Sequence, residues 1–151
     1  MHVRKGDKRK GKDMVFAVID TNVLVSALLS HHSDSATVQV VAAISAEGIC
    51  PLYNKEIMKE YKDVLNRSKF SFPPKSIASI ISKIKEVGHK ASRAHSDEFF
   101  PDAKDIVFYE VALSKEDAYL VTGNTKHFPK APIVVTPTEM MQILERQRRE
   151  L

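Results

Sequence analysis

Only one cysteine, Cys50, stands in the whole chain, so no internal disulfide can form. That scarcity fits a reducing compartment, and a cytoplasmic location is expected. Glycine is also sparse. Gly6, Gly11, Gly48, Gly88 and Gly123 are too scattered to build a glycine-rich phosphate loop. No serine sits in a Gly-x-Ser-x-Gly elbow, which excludes that nucleophile arrangement. The six histidines (His2, His31, His32, His89, His95 and His127) show no zinc-ligand spacing with Cys50 or with one another. No apolar run approaches the roughly 18 residues of a membrane span. The basic N-terminus is not followed by the apolar stretch and cleavage site of a signal peptide. No internal repeat is visible.

What is present fits one domain of ordinary size. The chain has 151 residues, of which 43% are hydrophobic and 28% charged, enough apolar material for a core. The net charge of +4 is localised. Residues 1–13 carry Arg4, Lys5, Lys8, Arg9, Lys10 and Lys12 against Asp7 and Asp13, and the remainder is close to neutral. This segment is expected to be a disordered basic leader, able to touch phosphates in a salt-dependent way or simply solvated. The folded domain is expected over residues 14–151.

Alternation of apolar runs with helical periodicity predicts the elements. Val15 to Ile19 is a continuous apolar run, as a strand buried on both faces requires. A helix follows over Val23 to Leu29, and a second from about Ser35 to Ala46. Ile49 to Tyr53 reads as a strand, and Asn54 can cap a helix extending to about Asn66. Pro73-Pro74 breaks the chain before a helix carrying Ile77, Ile80, Ile81 and Ile84. A weak strand covers His89 to Ser92, and a polar loop covers residues 93–104. Then come a helix from Asp105 to Ser114, a strand from Tyr119 to Thr122 and a last strand from Ile133 to Val135. A closing helix starts at Pro137 and runs to about Gln147. Four or five short strands alternating with helices predict an α/β fold, a three-layer α/β/α sandwich around a parallel sheet.

In such sheets ligands bind beyond the carboxyl ends of the strands. Asp20 sits at the end of the first strand, and Asn124 lies two residues past Thr122. Asp105 opens a helix, with Asp102 just before it. Glu60 lies closest of Glu56, Glu60 and Asp63 to the apolar stripe Ile57, Tyr61, Val64 and Leu65, so it should point toward the body of the protein. Each acid also has an ordinary reading: Asp20 and Asp105 as helix caps, Glu60 as a surface partner of Lys59 or Lys62. Together, carboxylates that repel one another suit a hard divalent cation, Mg²⁺ or Mn²⁺. Such ions activate water for in-line attack on a phosphodiester. A phosphatase using a nucleophilic Asp would want an Asp-x-Asp after the first strand, and Thr21 and Asn22 stand there instead.

The segments VFAVIDTNVLVSALL (15–29), EIMKEYKDVL (56–65), DAKDIVFYEVAL (102–113) and DAYLVTGN (117–124) resemble, in this order, the PIN-domain family, and more closely its branch of toxin–antitoxin nucleases. The resemblance covers nearly everything from Met14 onward. It implies a Rossmann-like sandwich and a Mg²⁺- or Mn²⁺-dependent endoribonuclease acting on RNA. It implies metal-ligand roles for Asp20 and Asp105, a metal- or water-positioning role for Glu60, and supporting polar roles for Thr21, Asn22 and Thr122. A homodimer and a cognate antitoxin are the implied partners. The family usually has another Asp where this chain has Asn124, which supplies a neutral oxygen instead. That departure keeps open a degenerate PIN domain acting as a non-catalytic RNA- or protein-binding module.

Overall fold

The computed structural model describes residues 14–150; the basic leader expected over 1–13 lies outside them. Strand β1 (Val15–Ile19) is the hub. Its apolar residues are almost wholly buried because it has a strand on either side. One neighbour is β2 (Ile49–Tyr53), in register Val15 with Ile49. The other is β4 (Tyr119–Val121), in register Ile19 with Val121. The two-residue strands β3 (His89–Lys90) and β5 (Val134–Val135) flank β2 and β4. The sheet is fully parallel, ordered β3-β2-β1-β4-β5.

Six α-helices accompany the five strands among the described residues. They are α1 (Thr21–Leu29), α2 (Ala36–Ser45), α3 (Lys55–Leu65), α4 (Pro74–Val87), α5 (Ile106–Leu113) and α6 (Pro137–Glu150). Parallel strands need crossovers, and crossovers are right-handed. Building outward from β1 in both directions therefore sends helices to opposite faces, which gives the expected three-layer α/β/α arrangement.

Helix α5 is the most enclosed. Its run from Val107 to Ala112 is buried, packed on β1, β2 and β4. Helix α3 shows the opposite pattern, a one-sided stripe of Ile57, Met58, Tyr61, Val64 and Leu65. Its start is capped as expected, with the Ile57 N–H donating to Asn54 Oδ1 at 2.8 Å. Gly88 ends α4 because nothing larger fits: a Cβ there would lie 2.4 Å from the Pro51 carbonyl oxygen and 2.5 Å from that of Ile84.

The element boundaries differ from expectation by small amounts with clear reasons. Helix α1 begins at Thr21 and not Val23, because Asp20 itself takes the N-cap position. The strand expected over His89 to Ser92 keeps only two residues, since an edge strand extends only as far as β2 offers partners. Asp105 does not open an α-helix. It closes a 3₁₀ turn, Ala103–Asp105, that leads into α5. The chain turns after α2 at Glu47, whose φ of 62° is left-handed.

Candidate active site

Strands β1 and β4 are neighbours at the point where the chain stops building one half of the sheet and starts the other. This switch point, at the carboxyl ends of the strands, is where doubly wound folds hold ligands. Asp20 follows β1 and Thr122 follows β4. The Asp20 N–H donates to the Val121 carbonyl at 2.9 Å, which locks the two strand ends together.

The Asp20 side chain is buried and does not cap its helix. Its Oδ2 instead accepts from the Thr122 hydroxyl at 2.8 Å and the Asn22 amide at 3.1 Å. Asn22 Oδ1 accepts from the Gly123 N–H at 3.1 Å, and Thr122 Oγ1 accepts from the Asn124 N–H at 3.0 Å. The Asp-Thr-Asn and Thr-Gly-Asn segments thus fix each other across the sheet. Burial pushes the Asp20 carboxyl above the usual range. Donation from Thr122 and the Thr21 backbone and the positive potential of His127 work against burial, while Glu60 adds repulsion.

Asp105 is held at the mouth of α5 and also makes no cap bond. Its Oδ2 is buried without a hydrogen-bond partner. His127 Nδ1 stands 3.4 Å away, close enough for charge attraction but outside hydrogen-bond geometry. Burial first, then the charges of Asp20 and Asp102, push the Asp105 carboxyl up to about 6, against the opposing pull of His127. Asp105 therefore feels the charge of Asp20. Asp102 does not join them as an equal. It is exposed, and its Oδ1 accepts from the Lys104 N–H at 3.0 Å as the cap of the 3₁₀ turn.

Glu60 is half-buried, whereas Glu56 and Asp63 on the same helix are exposed, as the helical stripe predicts. The ordinary surface pairing does not form, because Lys59 bonds Asp63 at 2.7 Å. Helix α3 is anchored beside Asp20 by the next residue: the buried Tyr61 hydroxyl donates to the Ile19 carbonyl at 2.6 Å. Asn124 is half-buried and reaches Asp105 only indirectly. Its Nδ2 lies 3.0 Å from His127 Nε2. With the amide donating to Nε2, the ring proton sits on Nδ1, on the side of Asp105.

Three residues near the site escape a reading of the sequence. His127 is one, since it pairs with a carboxylate and not with a second metal-type ligand. Glu110 and Arg93 are the others. Glu110 is buried in α5, where the Arg93 guanidinium donates to its Oε1 at 2.8 Å and the Ser96 N–H donates to Oε2 at 2.9 Å. The same guanidinium donates to Glu56 at 2.8 Å. Burial opposes the charge on Glu110, but the Ser96 and Arg93 donors together hold its carboxyl below the usual range. A lone acid inside the apolar run IVFYEVAL was the available signal, because a buried carboxylate must find partners.

Asp20 and Asp105 fit a hard divalent cation. Both are oxygen donors raised by burial, Asp105 also by the charge of Asp20 and Asp20 by that of Glu60, and Asp105 Oδ2 is a buried acceptor without a hydrogen-bond partner that a cation would satisfy. Among the described residues no group of three or more His, Cys, Asp or Glu is assembled as a cage. Mg²⁺ does not need one, since it commonly binds through one or two carboxylates and completes its shell with water and substrate phosphates.

Comparison with curated proteins finds no match of significant similarity. A family profile described as PIN domain matches residues 17–126, from within β1 to Lys126, one residue short of His127. PIN domains are typically nucleases, hydrolases of nucleic acid that generally use divalent metals. With the profile spanning the larger part of its length, and with its parallel α/β sheet, this chain belongs to the PIN-domain family.

Proposed function

We propose that the chain is a Mg²⁺- or Mn²⁺-dependent endoribonuclease, the toxin of a toxin–antitoxin pair, with Asp20, Glu60 and Asp105 as its metal site. The observation that carries this reading is the buried Oδ2 of Asp105, without a hydrogen-bond partner and with only His127 at 3.4 Å to offset its charge, near the buried carboxylate of Asp20 at the sheet's switch point. Such a pair is costly alone and is stabilised by a cation.

Asp20, oriented by Thr122 and Asn22, presents a fixed carboxylate. Asp105 presents the second, with its charge eased by His127. A bound divalent cation supplies Lewis acidity toward water and toward the phosphate under attack. Glu60, free of ion pairs, orients the attacking water or accepts its proton. Asn124, 3.0 Å from His127 Nε2, holds that ring with its Nδ1 toward Asp105. A homodimer and a restraining antitoxin belong to the same reading, and a cytoplasmic setting suits it. No described helix is long and apolar enough to cross a membrane.

The test is Asp20→Asn. Metal-dependent RNA cleavage is expected to fall at least about 100-fold, in the range of losing one strong transition-state contact, while the circular dichroism spectrum is unchanged. Full activity in the folded variant would remove Asp20 from the mechanism. Asn124 favours a second reading, a degenerate PIN domain that binds without cutting. Calorimetric titration with Mn²⁺ separates the two, because absence of binding at millimolar metal supports the scaffold.

A further inference from the structure

Resting on the nuclease reading above, we infer that Phe99 is a stacking platform for an unpaired nucleobase of single-stranded RNA at the rim of the acidic site. Three large hydrophobic residues are exposed among those described, and Phe99 is by far the most open, at 83%. An aromatic ring in water is ordinary on a floppy loop. The loop bearing Phe99 is instead tied down on both sides.

On one side Arg93 and the Ser96 N–H grip the buried Glu110. The Glu98 N–H donates to Ser96 Oγ at 3.1 Å, one residue before the ring. On the other side Phe100 is buried, edge-on to Tyr109 at 5.5 Å and to Phe128 at 6.2 Å. Phe128 directly follows His127, the residue 3.4 Å from Asp105. The anchor of the loop therefore packs against the turn that borders the candidate metal site, and the neighbouring ring is left facing solvent. The backbone entropy of presenting it has already been lost on folding, which favours binding.

The surroundings select the occupant. Asp97, Glu98, Asp102 and Lys104, close to Phe99 in the chain, are all exposed and polar, so this segment offers no run of exposed apolar side chains to a protein partner. A base needs only one π-face. Lys104 and Lys126, in the 3₁₀ turns Ala103–Asp105 and Thr125–His127, are exposed and form no ion pair with a described residue, so they can face the backbone phosphates.

The test uses the full chain with Asp20→Asn and chelator to prevent cutting, and reads the affinity for a short unstructured oligoribonucleotide. Phe99→Ala and Phe99→Leu are expected to weaken binding roughly 5- to 100-fold, the range set by loss of one stacked base. Phe99→Tyr should bind within about twofold of the parent, because it keeps the π-face. The chain has no tryptophan, so the indole emission of Phe99→Trp reports this position alone and should be quenched by the RNA. Undiminished binding by Phe99→Ala, or unquenched emission, overturns the proposal. So does a change from dimer to monomer in Phe99→Ala with RNA affinity intact, which would make the ring a contact between copies. Cleavage by the otherwise unchanged chain is measured separately. If it cuts RNA but Phe99→Ala binds normally, only the platform fails. If it neither binds nor cuts, the nuclease reading fails with it.

Discussion

At the scale of single residues, the decisive feature is a carboxylate kept where it is uncomfortable. Asp105 is raised from 3.8 to about 6 by burial and by the charges of Asp20 and Asp102. Between those two values the native state holds a proton that the unfolded chain has released. Stability therefore falls as pH rises through this window, and the loss is complete above about 6. Asp105→Asn removes that loss. Without metal it should be more stable than the parent near pH 7, by on the order of 1–3 kcal/mol. The gain should disappear below about pH 4, where the parent is protonated in both states. Urea unfolding at the two pH values checks this, and a destabilised variant at pH 7 would show that the Asp105 charge is well accommodated without a cation. Asp20 and Asp105 could be found in the sequence because each stands where a strand or loop hands over to a helix. Glu60 could be found because helical spacing tilts it toward the apolar stripe. His127, Arg93 and Phe99 could not, because their roles depend on which loops meet, and nothing local in the sequence encodes that.

At the scale of elements, two hydrogen-bonded ties hold the site's walls. Tyr61 bolts α3 to the end of β1 through a buried bond of 2.6 Å. Tyr61→Phe keeps the ring but leaves the Ile19 carbonyl without its donor. It should cost about 1–3 kcal/mol by thermal or denaturant unfolding, and it should slow cleavage more than it weakens RNA binding, because Glu60 moves with the helix. A neutral effect on stability would mean that water replaces the hydroxyl.

The second tie is Arg93, which joins Glu56 of α3 to Glu110 of α5. Arg93→Ala leaves a buried carboxylate short of a partner, and a cost of roughly 1–3 kcal/mol is expected. Arg93→Ala with Glu110→Ala should cost less than the sum of the two single changes, because the double variant leaves no unpaired charge. Strict additivity in a double-mutant cycle would contradict the tie. The elements themselves were almost all legible, because buried parallel strands read as short apolar runs and the helices are punctuated by Asn54, Pro73-Pro74 and Pro137. The 3₁₀ turn before α5 was not, since its three residues carry no periodicity to distinguish them from the first turn of a helix.

At the scale of the whole molecule, function follows from strand order. Placing β1 beside β4 brings residues about a hundred positions apart into hydrogen-bond contact, as between Asp20 and Thr122. The fold class could be read from alternation alone, but that adjacency could not, because several orders of five parallel strands satisfy the same pattern. The switch point then concentrates acids whose repulsion a cation would relieve, and the PIN-domain membership gives that chemistry its direction toward nucleic acid. The measurement that bears most directly on this is cleavage of a defined single-stranded RNA by the purified full chain with Mg²⁺ or Mn²⁺, with chelator, and with metal restored after chelation. Internal cuts are expected with either metal, with none in chelator and full recovery on restoration. Cleavage indifferent to chelator, or no cleavage under conditions where Mn²⁺ binds, would contradict a metal-dependent nuclease built on Asp20 and Asp105.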